Sequence, residues 1–225
     1  MSSLPILVIA PHALDEVLGC GGTIALASDA GQPVYVLVMF GNGAGHDSRR
    51  RAAAKDAATV LGGASIDFAG LPENRGDTIP LTEAVDIVER AVAAIRPETV
   101  YVAHGGNLHA DHQATFRATS TALRPAPRQP VRYFYGYEVP SSTDWAPPGM
   151  GVPFLPVRFV DITAALERKR KALEIYAFEL RAPPHARALE TVLNLARARG
   201  ASVGLEAAEA FTILREIITV GAPPA

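Results

Sequence analysis

The sequence predicts an α/β fold with a largely parallel sheet and helices on both faces. Two observations carry that expectation. Short apolar runs alternate with helical stretches over the first two-thirds of the chain, which is the rhythm of repeated βαβ units. The composition, 48% hydrophobic and 20% charged over 225 residues, suits one α/β domain of the larger kind. Residues 1–225 are therefore expected to form a single domain.

The elements follow in order. Ile6–Ala10 is a buried first strand, and Glu16–Ala30 reads as a helix despite its glycines. Val34–Phe40 is the second strand, and Arg49–Leu61 is an Ala-rich helix stopped by Gly62-Gly63. Ser65–Ala69 is a brief strand, Leu81–Ile95 a helix ending before Pro97, and Thr99–Ala103 another strand. Asp111–Leu123 is helical, and the aromatic stretch Val131–Glu138 is strand-like. A Pro-rich connection covers 140–156. Three helices are expected after it, over Ile162–Leu180, Ala186–Arg199 and Glu206–Ile218.

Several classes are excluded. The net charge of −2 supplies no basic surplus to displace counterions from a nucleic-acid backbone. One cysteine, Cys20, allows neither an internal disulfide nor a Cys-cluster zinc site. No apolar run approaches the roughly 20 residues of a membrane span. The short apolar run Leu4–Ala10, followed at once by Pro-His, reads as a strand and not as a signal peptide. The expectation is a cytoplasmic protein, with homo-oligomerisation left open.

In sheets of this kind ligands bind beyond the carboxyl ends of the strands. Five of the six histidines fall in loops at those ends, which points to a site there. His12 and Asp15 follow the first strand, and His112 opens the helix after Thr99–Ala103. Two imidazoles and a carboxylate suffice for a catalytic Zn²⁺ with an open position. The same pair is also an ordinary loop hydrogen bond. His109 and Asp111 beside His112 supply the supporting partners that metal-bound histidines need. A two-His, one-carboxylate set accepts Fe²⁺ or Co²⁺ as well.

Pro11-His12-Ala13-Leu14-Asp15-Glu16, leading into a glycine-rich helix start, and His109-Ala110-Asp111-His112 together resemble the LmbE-like (PIG-L) family of zinc-dependent N-acetylglucosaminyl deacetylases. The likeness continues through Asn74-Arg75-x-Asp77, Glu138-Val139-Pro140-Ser141-Ser142, Lys169, Tyr176, Pro184-His185-Ala186-Arg187 and Ala208-Glu209-Ala210-Phe211. It implies a Rossmann-like α/β sandwich and zinc held by His12, Asp15 and His112. It also implies a role for His109 in stabilising the oxyanion and for Asp111 in supporting the site. Candidate substrate contacts are Asn42, Arg50, Arg75 and Asp77, and Arg75 and Asp77 are read equally as a mutual ion pair.

One departure stands out. The first of the motif's two adjacent aspartates is the family's general base, and here it is Leu14, which carries no proton. Ala13 replaces the motif proline, Ala53 falls where relatives often carry a glutamate, and Asn107 where many carry an acidic residue. His46 and Asp47, in a Gly-rich loop at the correct edge, are the candidate substitute proton carriers.

The remaining features are read as structural. Gly19-Cys20-Gly21-Gly22 lacks the third glycine of a dinucleotide fingerprint, since Ile24 stands there. Cys20 is read as a packing residue, His104 as a brace for the second-motif loop, and His185 and Glu209 as hydrogen-bonding residues on late helices. Arg49–Arg51 form either a solvated helix start or a phosphate- or sugar-binding rim. The expected function is removal of an acetyl group from an N-acetylated amino sugar or related small molecule. The alternative is a catalytically impaired relative that keeps the metal and a sugar pocket.

Overall fold

The computed structural model describes residues 4–41, 45–127, 129–149 and 151–218, excluding the side chain of His46. The elements are β1 (Ile6–Ala10), α1 (Asp15–Asp29), β2 (Val34–Phe40), α2 (His46–Val60), β3 (Ser65–Leu71), α3 (Leu81–Ile95), β4 (Thr99–Ala103), α4 (Ala110–Ala122) and β5 (Tyr133–Tyr137). After a long connection come β6 (Arg158–Asp161), a 3₁₀ turn (Thr163–Ala165), α5 (Leu166–Ile175), α6 (Leu189–Ala201) and β7 (Ala208–Glu216). The seven strands form one sheet in the order β3-β2-β1-β4-β5-β7-β6. β1 to β5 run parallel, and β7 lies antiparallel between β5 and β6.

Both faces of the sheet are covered, which is why its central strands read as unbroken apolar runs. Along β1, Ile6, Val8 and Ala10 point into a core shared with α1, α2, α5 and α6. Leu7 and Ile9 point into the opposite core, shared with α3 and α4. α1 is buried nearly all round, so its small residues are steric necessities. A Cβ at Gly19 would overlap the Tyr137 ring, and one at Gly22 would overlap Ile162.

Three expectations need correction. Glu206–Ile218 is not a helix: its Glu- and Ala-rich start misleads, and the segment forms β7 by filling the slot between β5 and β6. Pairing with two neighbours outweighs local helix propensity, which is worth only tenths of a kcal/mol per residue. β6 is an addition to the expected elements, because its four residues are too few for periodicity to register. Finally, Ile162–Leu180 contains only the 3₁₀ turn and α5, with hydrogen-bonded turns from Tyr176 to Leu180.

The chain order places a crevice. β1 sits between β2 and β4, and the chain leaves β1 toward β2 and β3, then returns to add β4 and β5 on the other side. The loops after β1 and β4 therefore diverge at this switch point, where such sheets bind ligands.

Candidate metal centre

The loop after β1 is a tight turn held from both ends. The His12 N–H donates to Asp15 Oδ2 at 3.0 Å, and the Leu14 N–H donates to Glu16 Oε2 at 2.9 Å. Tyr176 Oη donates to the other Glu16 oxygen at 2.8 Å. Leu14 adopts φ 98°, ψ −35°, a backbone region that bulky residues rarely enter and that costs on the order of 1–3 kcal/mol. Its side chain is 2% exposed, within the core on the α1 face. Burial pushes the Glu16 carboxyl up to about 7 against these hydrogen bonds. Glu16 is a member of this turn that the sequence reading assigns no role, although its motif position is a signal.

The turn aims His12 and Asp15 at α4. Asp15 Oδ2 lies 3.4 Å from His12 Nδ1 and 3.3 Å from His112 Nε2. Ligand atoms bonded at about 2.0 Å to a tetrahedral ion are separated by about 3.3 Å. The two distances to Asp15 thus match ligation of one divalent metal, and all three atoms lie within 4.8 Å of one another. His12 is backed correctly for that role: its Nε2–H donates to Asp111 Oδ2 at 2.8 Å, leaving Nδ1 toward the shared position.

Asp111 is fully buried and also accepts the backbone N–H groups of Asn74 and Gly76, each at 2.8 Å. It acts through His12 and the loop after β3. His109 caps α4 by accepting the Asp111 N–H on Nδ1 at 3.1 Å. Its ring proton therefore resides on Nε2. The three imidazoles of His12, His109 and His112 lie 4.9–5.3 Å apart between centroids. His12, His109 and Asp111 form a second, overlapping group of potential ligands.

Charges in this cluster are strongly coupled. Burial opposes a charged His12, yet the hydrogen bonds to Asp111 and Asp15 raise it to about 9. Burial alone would raise Asp15, but the His112 and His12 rings lower it to about 2. Burial pushes His112 down to about 4 and lowers His109 as well.

The other expected residues are distributed more widely. Arg50 donates to Glu73 and to Glu179, each at 2.6 Å, and Glu73 in turn exerts its charge on His109. Arg75 and Asp77 are exposed, and Asp77 lines a separate cavity of about 370 Å³ with Phe40, Gln113 and Arg117. Asn42 lies outside the described residues, as does the His46 side chain. Asp47 accepts from Arg51 Nε at 3.0 Å, and Arg49 stacks on Phe178, so this helix start is tied into the protein. His104 Nε2–H donates to Val152 O at 2.8 Å, bracing the Pro-rich connection, and its ring also packs against Gly106 of the second-motif loop. Cys20 is buried, with its thiol pushed up by burial, and packs as expected.

Comparison with known proteins agrees with this architecture. Residues 7–123, just over half of the chain, match the family described as PIG-L, GlcNAc-PI de-N-acetylase. An uncharacterized deacetylase of Escherichia coli K12, YaiS, is 28% identical over 145 residues, covering 61% of this chain and 75% of that protein. A probable N-acetyl-α-D-glucosaminyl L-malate deacetylase 2 of Bacillus cereus is 28% identical over 140 residues, covering 55% of this chain and 63% of the relative. The fold matches the conserved protein TT1542 of Thermus thermophilus, with TM-score 0.77, 24% identity and coverage of 99% and 100%. It also matches GalB, a 4-carboxy-2-hydroxymuconate hydratase of Pseudomonas putida KT2440, with TM-score 0.76, 18% identity and coverage of 98% and 100%. The chain belongs to the PIG-L (LmbE-like) family of deacetylases.

Proposed function

We propose that this chain is a metal-dependent hydrolase that removes the acetyl group from an N-acetylated amino sugar or related conjugate, releasing acetate and a free amine. The observation that carries the reading is the His12, Asp15 and His112 donor set, in which Asp15 Oδ2 lies 3.4 and 3.3 Å from the two imidazole nitrogens, with His109 beside it. The name of the B. cereus relative supports the substrate class. Zn²⁺ is the proposed ion, and Fe²⁺ or Co²⁺ suits the same ligands. When bound, it would polarise the amide carbonyl and activate water.

The chain's own residues divide the remaining work. Asp111 orients His12. His109, neutral through burial and protonated on Nε2, can donate to a developing oxyanion but cannot accept a proton at that nitrogen. Arg75, Asp77 and Asn42 are proposed substrate contacts at the rim, and Arg50 is proposed to act there with Glu73. Residues 1–225 are proposed to form one deacetylase domain.

Leu14 favours a second reading, a metal- and sugar-binding relative with little turnover, because no carboxylate stands at the usual base position. Metal analysis and turnover of an N-acetylglucosamine conjugate test both. One divalent ion per chain is expected in wild type and its loss in His112→Ala. His109→Ala should keep the metal and lose activity by roughly a hundredfold or more. Equal metal content in wild type and His112→Ala would sink the assignment, while metal without turnover in wild type selects the second reading.

A further inference from the structure

The two candidate imidazole ligands are backed by different chemistry. Behind His12 stands a carboxylate, Asp111. Behind His112 stands an amide, Asn107, only 2% exposed. Asn107 serves two neighbours at once. Its Oδ1 accepts the His109 backbone N–H at 3.0 Å, while its Nδ2 lies 3.1 Å from His112 Nδ1 and 3.5 Å from Thr143 Oγ1.

A backbone N–H can only donate, so His109 decides which end of the amide carries oxygen. Reversing the amide would set its NH₂ against that N–H. The group facing His112 is therefore an NH₂, which only donates. His112 Nδ1 must accept, and the single proton of the neutral ring sits on Nε2. That nitrogen faces Asp15 Oδ2 at 3.3 Å and is the one aimed at the metal position. It offers a proton where a ligand must offer a lone pair.

We propose that Asn107 is a positioning residue that holds His112 in its Nε2–H tautomer and thereby weakens metal binding relative to the same donor set with a carboxylate at position 107. The inference rests on the reading of His12, Asp15 and His112 as metal ligands. Ligation through Nε2 requires the proton on Nδ1, where it would meet the Asn107 NH₂ head-on. Asn107→Asp keeps an oxygen for the His109 N–H and presents a second oxygen to Nδ1–H. The Thr143 hydroxyl, which accepts the Val139 N–H at 2.9 Å, retains its own proton to donate to that carboxylate.

The test is Zn²⁺ affinity, measured by competition with a chromophoric chelator, in wild type, Asn107→Asp and His112→Ala. It is paired with imidazole ¹⁵N spectra of the metal-free proteins at pH 7. Asn107→Asp should bind Zn²⁺ about ten- to a hundredfold more tightly, the usual size of such supporting interactions. The His112 proton should reside on Nε2 in wild type and move to Nδ1 in the variant. A purely structural Asn107 would instead loosen the metal on any substitution. Unchanged or weaker affinity in a folded Asn107→Asp, with binding abolished in His112→Ala, overturns this inference and leaves the metal reading standing. Equal binding in wild type and His112→Ala removes both. If Asn107→Asp does not fold, the wild-type spectrum decides alone: a proton on Nδ1 overturns the inference.

Discussion

Two buried polar clusters hang on the same helix, α1, and they differ in how their hydrogen-bonding capacity is met. Near its middle, Lys169 Nζ donates to Glu209 Oε1 at 2.5 Å and to Leu18 O at 2.8 Å. Glu209 further accepts from the Gly22 and Thr23 N–H groups and from Thr23 Oγ1, at 2.8, 2.8 and 2.6 Å. Every charge there has a dedicated partner of opposite kind, and the cluster ties α1 to α5 and β7. At the N-terminus of α1, by contrast, the His12 Nδ1 and His112 Nε2 nitrogens converge on one oxygen of Asp15. Their proton affinities are driven apart, to about 9 and about 4. Removing one partner of a closed buried pair is costly to the fold, whereas donors crowded onto one acceptor mark a candidate functional site.

Three experiments probe this contrast, from the largest expected effect to the smallest. The largest concerns Leu14, the strained residue between the turn and the core. A positioned general base contributes about 10²–10⁴-fold, and aspartate tolerates a positive φ better than leucine. Leu14→Asp, with the new carboxylate turned out of the core toward the His12, Asp15 and His112 donor set, should therefore raise deacetylation of a simple N-acetylglucosamine conjugate toward that range. A neutral or harmful effect in a briskly active wild type would show that the proton carrier lies elsewhere.

The closed cluster should respond in stability and not in chemistry. Lys169→Met leaves Glu209 charged, buried and without its cation, which typically costs about 3–5 kcal/mol. Chemical denaturation should register that loss, while metal content per folded chain stays at the wild-type level. Loss of metal at unchanged stability would break the distinction between the two clusters.

The third experiment is pH dependence. His12 is raised from 6.5 to about 9 in the metal-free protein, so its protonated form favours the folded state. The associated stability, about 3 kcal/mol for a shift of this size, is fully present below pH 6.5 and is lost as pH rises toward 9. Metal binding runs the other way, because ligation displaces this proton. Apparent Zn²⁺ affinity should rise about tenfold per pH unit between pH 7 and 9. Flat affinity over that interval, measured by chelator competition, would mean that metal binding displaces no proton from His12 there.

Much of this was legible from residue order. β1, β2 and β4 are continuous apolar runs because both faces of the sheet are covered, and such runs announce themselves. That His12, Asp15, His109 and His112 would gather in one place was readable because strand-end loops of parallel sheets converge on one edge. The roles of Glu16 and Asn107 were not readable. Glu16 depends on Tyr176, 160 residues away in sequence, and the constraint on Asn107 arises from a backbone N–H and a ring nitrogen at one distance and angle.

The sequence by itself determined the parallel half of the sheet and the loop edge that carries the histidines. These follow from local periodicity and from the handedness that returns each βαβ unit to the same side. Only the tertiary structure decided that Ala208–Glu216 is a strand, that Arg50 is held between Glu73 and Glu179, and that Asp111 serves His12. Each of those outcomes depends on a partner distant in the chain. A helix-forming segment takes the strand conformation when two open sheet edges offer a full set of backbone partners, and a side chain's role is set by the groups that burial leaves within its reach.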